Sequence, residues 1–285
     1  MSYKIAIDAG HGSDTAGKRT PPMPSNIDID KDGKTDVKKG EQFREHYGNV
    51  LVADALNKAL IRCGFITLKS AWDDVNYKDD ADVALSTRQK LIKSVGCDAS
   101  VSIHYNAYGD GKTFNTAEGI ETLIHSSDVN VGDSKKLADL VQKYLILGTK
   151  QKNRGVKRME LAMCNCKVMG TKASILVELG FMTNKAEALL MTDEDFIQEC
   201  AEEICQGFCA YFGVKYISAI SQAQTPFLIK VVSDKLAIRN TPAVTAKING
   251  YITNKGTYTI VEELNGYGKL KSGAGWIDLS FQKKV

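Results

Sequence analysis

The chain carries four histidines among its 285 residues, His11, His46, His104 and His125, and two of them stand where an apolar run stops. Ile5-Ala6-Ile7 ends in Asp8-Ala9-Gly10-His11-Gly12, and Ala99 to Ile103 ends in His104-Tyr105-Asn106-Ala107. A third run, Ala173 to Val177, ends in Glu178-Leu179-Gly180-Phe181. Two imidazoles and one carboxylate are a common ligand set for catalytic zinc, with the fourth position left to water. Such a metal lowers the pKa of that water to about 7 and polarises a carbonyl oxygen. A further carboxylate then takes the proton and passes it to the leaving nitrogen. Glu178 suits one of these two carboxylate tasks, because a charge directly after Ile175-Leu176-Val177 is costly to bury unless a cation or a proton partner meets it. Glu41, Glu45 and His46 gather at the start of the first long helical stretch, and either of the two glutamates could supply the other acid.

Each residue also has an ordinary reading. His46 reads as a helix-surface residue beside Glu45, and His125 as a strand end facing solvent. His104 keeps step with Ser100 and Ser102, a polar alternation inside an otherwise buried strand, which speaks against a plain core role. Gly10 and Gly12 permit a sharp turn around His11. Asp8, three residues earlier, is expected to orient the His11 ring.

The elements that must position these groups alternate. Strands are expected near Ile5–Ile7, Phe65–Leu68, Ala99–Ile103, Gly119–Ile124 and Ala173–Val177. Helices are expected over about Glu41–Arg62, Leu85–Val95, Asp133–Leu147 and Asp193–Phe212. That alternation predicts an α/β fold, a mostly parallel twisted sheet with helices on both faces. Functional groups in such sheets gather at the carboxyl ends of the strands. Between His11 and the first helix lies a long polar loop, Ser13 to Gly40. Its stretch Asp28-Ile29-Asp30-Lys31-Asp32-Gly33-Lys34-Thr35-Asp36 follows the start of a calcium loop, but Lys39 occupies the place of the final glutamate. Calcium there remains open beside a solvated, turn-rich lid.

Beyond a short linker ending at Thr225, the texture changes to short β-runs broken by glycine, which argue for a small all-β barrel. The predicted division is residues 1–215, a linker at 216–225, and 226–285. The last segment holds nine Lys/Arg against four acids, whereas the net charge of the whole chain is +3, so a mildly acidic part precedes a basic one. A basic tail suits an anionic surface. Tyr251, Tyr258, Tyr267, Trp276 and Phe281 are read mainly as core of the small barrel, with a binding groove as the alternative. No apolar run approaches the roughly 20 residues that span a bilayer. No signal peptide is evident, so synthesis in the cytoplasm is expected. The seven cysteines show no disulfide framework. Cys200, Cys205 and Cys209 read as small core hydrophobes of a reduced protein, and the Cys164–Cys166 pair lacks the partners of a structural zinc site.

Four motifs, taken together, resemble the zinc-dependent N-acetylmuramoyl-L-alanine amidases. They are Ile7-Asp8-Ala9-Gly10-His11-Gly12, Glu45-His46-Tyr47-Gly48-Asn49, Ser102-Ile103-His104-Tyr105-Asn106-Ala107, and Val177-Glu178-Leu179-Gly180-Phe181-Met182-Thr183-Asn184. They stand in the family's order and the resemblance spans about residues 3–213. It implies that His11, Glu45 and His104 bind Zn2+, that Glu178 is the catalytic carboxylate, and that the bond cut joins muramic acid to L-alanine in peptidoglycan. Glu41 is the rival acid; Glu45 is preferred because the family's ligand precedes an asparagine by four residues, and Asn49 fits. The tract Gly12 to Pro21 further resembles phage lytic amidases, and residues 226–285 are similar to bacterial SH3-like wall-binding domains. Such a protein is stored in the cytoplasm and reaches the wall through a membrane lesion; neither nucleic-acid binding nor stable membrane insertion is expected. Two alternatives stay open: a wall-binding protein with an inactive amidase-like domain, and a zinc peptidase acting in the stem peptide.

Overall fold

The three apolar runs that end in His11, His104 and Glu178 are neighbouring strands of one sheet. The structure is a computed structural model describing residues 2–29, 31–127, 129–218, 226–244, 246–264, 267–279 and 283–284. It divides into two units, Met1–Ile217 and Ser218–Val285. In chain order the first unit has β1 (Lys4–Ala9), α1 (Glu45–Arg62), β2 (Ile66–Ser70), α2 (Leu85–Val95), β3 (Ala99–Asn106), β4 (Ile120–Ile124) and α3 (Val131–Gly148). Then follow β5 (Asn153–Arg158), a 3-10 turn (Ala162–Cys164), α4 (Cys166–Met169), β6 (Ala173–Phe181), α5 (Lys185–Leu190) and α6 (Glu194–Phe212).

The strand order is β2-β1-β3-β6-β4-β5. The sheet is mixed: β4 runs antiparallel to β6, while every other neighbouring pair is parallel. β5 was not expected from the sequence. Its residues, Asn-Arg-Gly-Val-Lys-Arg, lie at the sheet's edge and show neither an apolar run nor clean alternation. Alternation sorts the other strands into two faces. Ile5, Ile7 and Ala9, with Val101, Ile103, Tyr105, Ile175, Val177 and Leu179, share one core with α1, α3 and α6. The opposite face carries Ala6 against Ile92, Cys97, Met163 and Met169, and Leu176 against Leu123 and Cys164, under α2, α4 and the 3-10 turn. Asp8, Ser102, His104 and Glu178 therefore point to this second face.

Helix α1 starts four residues later than its pattern suggested. The backbone from Glu41 to Arg44 is extended and bonds to an earlier stretch: Thr20 N–H donates to Phe43 O, Met23 N–H to Glu41 O, and Arg19 bridges Arg44. Those bonds occupy the groups a helix would use. The long loop is correspondingly less solvated than expected, with Thr20, Met23, Val37 and Phe43 buried. Its Ile27 and Val37 form a bridge. Asp28 accepts the Gly33 amide, Asp36 accepts the Ile29 amide, and Asp32 pairs with Lys34. These carboxylates close the turn; Asp30, the third position of the calcium-like pattern, lies outside the described residues. α6 is capped at its start by Asp193, whose side chain accepts the Phe196 amide, and at its end by Gly213 in the left-handed region.

The second unit contains β7 (Phe227–Lys230), β8 (Leu236–Arg239), β9 (Ile248–Ile252), β10 (Thr257–Leu264), β11 (Tyr267–Leu270), β12 (Trp276–Asp278) and β13 (Lys283–Lys284). They form an antiparallel sheet in the order β13-β7-β10-β11-β12-β8-β9. Its small core is Ile229, Val231, Leu236, Ile252, Ile260, Leu270 and Ile277. Tyr267 and Trp276 are buried, Tyr251 is exposed and Tyr258 packs at the core's edge. Phe281 and residues 219–225 of the expected linker lie outside the described residues. Among the described residues no helix is long and apolar enough to cross a membrane.

One buried acid tests the packing of α3 on α6. Glu203 is buried on α6, its Oε2 has no hydrogen-bond partner, and burial with Glu199 alongside pushes its carboxyl up to about 8. The unfolded chain ionises nearer the ordinary value of about 4.3. The folded state thus binds the extra proton, and this contribution to stability is present at low pH and lost as pH rises through 8. Glu203→Gln is expected to stabilise the protein by about 1–2 kcal/mol at pH 8 and far less at pH 5. Thermal unfolding at the two pH values checks this.

Candidate metal centre

His11 lies just past the end of β1 in the left-handed region, with φ 66°. A β-carbon on Gly10 would stand 2.1 Å from the His104 ring, and one on Gly12 would stand 2.3 Å from the Asp82 amide nitrogen. The two glycines are therefore required by close approach, while the strained backbone conformation falls on His11 itself. The Gly10 carbonyl accepts from His46 Nδ1 at 2.8 Å and Asn49 Nδ2 at 3.0 Å, and the Gly10 amide donates to Ile103 O at 3.0 Å. His46 is fully buried, contrary to the surface reading; its Nε2 faces Asp80 Oδ2 at 3.2 Å. His46 and Asn49 lie on the helix face that also carries Glu45, so α1 pins the turn and presents its first-turn acid together.

Glu45 stands between the two histidines. His104 Nδ1 is 3.1 Å from its Oε1, and His11 Nε2 is 3.3 Å from its Oε2. The rings of His11 and His104 are perpendicular, with centroids 4.8 Å apart. The Tyr105 amide also donates to Glu45 Oε1, at 3.2 Å. Oε2 is buried and has no partner of hydrogen-bond geometry. Burial pushes the Glu45 carboxyl up, but the two imidazoles outweigh it and hold the group well below the usual carboxylate range. Burial likewise lowers His104, and Glu45 more than reverses that, so the ring's pKa is raised. One ligand atom from each of His11, Glu45 and His104 lies within 4.8 Å of the others. Two imidazole nitrogens and an orphaned carboxylate oxygen facing one point are a donor set that fits a divalent cation. Glu41, by contrast, is exposed and accepts the Lys38 amide.

Asp8 does not act on His11 as expected. Its Oδ2 accepts from Ser102 Oγ at 2.6 Å, and Ser102 Oγ faces His104 Nε2 at 3.1 Å. Alternation puts Asp8 and Ser102 in register across β1 and β3, on the face that carries His104. With Nε2–H donating to Ser102, the Nδ1 atom of His104 is the one directed at Glu45. This fixes the tautomer that a ligand to a cation needs.

Arg88, on α2, was missed in the sequence. It is buried, and its guanidinium donates to Asp8 Oδ1 (3.2 Å), Ala9 O (3.2 Å), His11 O (2.8 Å), Asp82 Oδ1 (2.8 Å) and, through Nε, Val83 O (2.7 Å). Its signal was present: Arg88 lies three residues after Leu85 and four before Ile92, on the stripe expected to be apolar. These bonds tie the β1 turn to the loop before α2. A cavity of about 390 Å³ opens there, lined by His11, His104, Asp82, Val83, Leu85 and Met163 among others.

Glu178 pairs in register with His104 across β3 and β6, and with Glu121 across β6 and β4. Its Oε2 is buried and has no partner. Burial pushes its carboxyl up to about 8; His104 opposes that, and the neighbouring acids Glu45 and Glu121 reinforce it. Glu121 itself is paired with Arg154 and Lys157 and accepts from Asn106. The end of β6 is held by Glu187, which accepts the Phe181 amide at 2.7 Å and the Gly119 amide at 2.9 Å. Asn184 caps α5 through the amides of Ala186 and Glu187. His125 accepts the Ser127 amide, away from this group. Cys164 Sγ faces the Leu123 carbonyl and Cys166 Sγ faces Ser134 Oγ.

An α/β sheet with two histidines and one acid at its strand ends, and a second acid on the first turn of α1, defines a class that likeness to known proteins makes specific. Residues 5–210 match the family model Amidase_3: N-acetylmuramoyl-L-alanine amidase, and the chain belongs to that family. The crystal structure of an N-acetylmuramoyl-L-alanine amidase from Clostridium difficile 630 is similar, with TM-score 0.58 and 27% identity, over 75% of this chain and 98% of that one. The N-acetylmuramoyl-L-alanine amidase LytC of Bacillus subtilis is 26% identical over 208 residues, which cover 73% of this chain and 35% of that protein. The endolysin of Bacillus phage SPP1 is 29% identical over 143 residues, 48% of this chain and 49% of that protein. The chain thus spans about a third and about half the length of these two relatives.

Asp8→Asn removes one of the two carboxylates that meet the Arg88 guanidinium, and the other, Asp82, is partly exposed. The variant is expected to lose about 2–4 kcal/mol of stability, the cost of leaving a buried charge short of its partner. Urea unfolding of the two proteins measures it.

Proposed function

We propose that the chain is a zinc-dependent peptidoglycan hydrolase that cuts the amide bond between N-acetylmuramic acid and L-alanine, and that it works as an endolysin. The single observation that carries this reading is the buried Glu45 carboxylate set between His11 Nε2 and His104 Nδ1, with Glu178, its Oε2 without a hydrogen-bond partner, on the strand beside His104. Members of the family are typically zinc-dependent. His11, Glu45 and His104 hold the ion in this reading, and when bound it supplies Lewis acidity to a water and to the scissile carbonyl.

The chain's own groups do the rest. Asp8 and Ser102 keep the His104 Nε2–H turned away from the ion. Arg88 holds the His11 carbonyl and so the ring's approach. Glu178 is the catalytic carboxylate: it takes the proton of the attacking water and delivers it to the leaving nitrogen of L-alanine. Its raised pKa suits a group that must first accept and then give up a proton near neutral pH. The cleft beside His11 and Leu85 offers room for the substrate.

The division into a catalytic part at 1–215, a linker at 216–225 and a wall-binding part at 226–285 belongs to the same proposal. In it the second unit is an SH3-like module, and its excess of Lys/Arg suits the anionic polymers of a cell wall. Similarity to a phage endolysin supports the lytic role, with synthesis in the cytoplasm of an infected cell and release through a membrane lesion.

Chelation of the purified protein is expected to abolish the release of L-alanine amino termini from bacterial walls, and added zinc to restore it. Mass spectrometry is expected to find intact glycan separated from intact stem peptide; cuts within the peptide would replace the amidase reading with a peptidase, and binding without any release would leave only a wall-binding protein. Glu178→Gln should keep its zinc and lose about 10²–10⁴-fold in rate.

A further inference from the structure

A second group of ligating side chains lies in the first unit, away from the sheet's strand ends. Cys63 follows the last residue of α1, and Cys205 and Cys209 stand one turn apart on α6. All three are buried, and their sulfurs lie within 4.8 Å of one another. Cys63 Sγ and Cys205 Sγ are 3.7 Å apart. Three sulfurs bound to one ion at the usual zinc–sulfur distance of about 2.3 Å are about 3.8–4.0 Å from each other. The three lie in the same apolar core as Cys200, and what sets them apart is that their sulfurs meet one another. Cys164 faces a carbonyl, Cys166 faces a hydroxyl, and Cys97 and Cys200 sit among apolar side chains, with no such group of sulfurs around them among the described residues.

We propose that Cys63, Cys205 and Cys209 form a second metal site, which takes a soft d10 cation such as zinc(II), cadmium(II) or copper(I) on three thiolates. Soft thiolate donors select cations of this kind over the hard ones that prefer oxygen. Cys63 Sγ meets both polar groups of Ile217: it accepts from the amide at 3.3 Å and, as a thiol, donates to the carbonyl at 3.5 Å. Of the two, the amide contact is the one that also serves a metal-bound thiolate. Arg62, next in sequence to Cys63, donates to the Ile217 carbonyl at 2.8 Å and pairs with Glu202, which also accepts from Tyr216. Binding replaces three S–H bonds by three sulfur–metal bonds and releases three protons to solvent, with no change of oxidation state. The ion would clip the end of α1 to α6 and to the segment Tyr216–Ile217, the last residues of the first unit. None of these side chains belongs to the His11–Glu45–His104 group.

Cadmium(II) titration of the fully reduced, full-length protein tests this, because sulfur-to-cadmium charge transfer in the ultraviolet reports thiolate ligation and is silent for the histidine site. The proposal expects a tight band that saturates with one cadmium ion per chain, persists in His11→Ala/His104→Ala, and is lost in Cys63→Ser/Cys205→Ser/Cys209→Ser. A rise in the unfolding temperature should accompany the band and vanish with it. Cys63→Ala, at a helix end, serves as the milder variant and should weaken cadmium binding at least tenfold while circular dichroism stays unchanged. Absence of the band in the unsubstituted protein overturns the proposal, as does a band that survives in the triple variant. Peptide mapping that finds Cys63 and Cys205 joined as a disulfide in the protein as purified also overturns it.

Discussion

The first unit depends on a carboxylate placed where a carboxylate should not be. Glu45 is buried, and nothing apolar around it offsets the cost of its charge. Two imidazoles and one backbone amide do so instead. The imidazoles come from a turn after β1 and from the end of β3, which also supplies the amide, while the acid itself stands in the first turn of α1. The acid therefore requires the sheet, the helix and the turn to be assembled at once. In the proposed reading a cation at that point would engage the Oε2 that the two histidines leave without a hydrogen-bond partner.

The supporting bonds explain why the turn at His11 holds a strained shape. Backbone in the left-handed region costs of order 1 kcal/mol for a residue with a side chain. Around His11 that cost is offset by Arg88 on its carbonyl and by His46 and Asn49 on the carbonyl of Gly10. The same arginine neutralises Asp8, which steadies Ser102 and through it His104. One buried guanidinium thus sets both histidines, although it touches neither ring.

The two ends of the first unit differ in the softness of their donors. Nitrogen and oxygen converge at the strand ends, and sulfur converges where α1 meets α6. The two groups share α1, whose first residue is Glu45 and whose last turn leads into Cys63. Between them the helix packs along its length on α6 and the sheet.

Much of the first unit was legible in the sequence, for a physical reason. Buried parallel strands must be apolar, so a polar residue at the end of such a run stands out, and His11, His104 and Glu178 did. The main helices announced themselves by period, and the structure adds for α6 the caps at Asp193 and Gly213. Edge strand β5 did not, because half-exposed backbone pairing imposes little on side-chain type. Nor did the late start of α1, where hydrogen bonds to residues 19–23 overrode a helical pattern. The sequence alone could not say which histidine Asp8 serves, that His46 is buried, or that an arginine sits in the stripe of α2. Those depend on partners 36 to 94 residues away. Spacing along a chain determines which face a side chain occupies, and only the packed structure decides what meets it there.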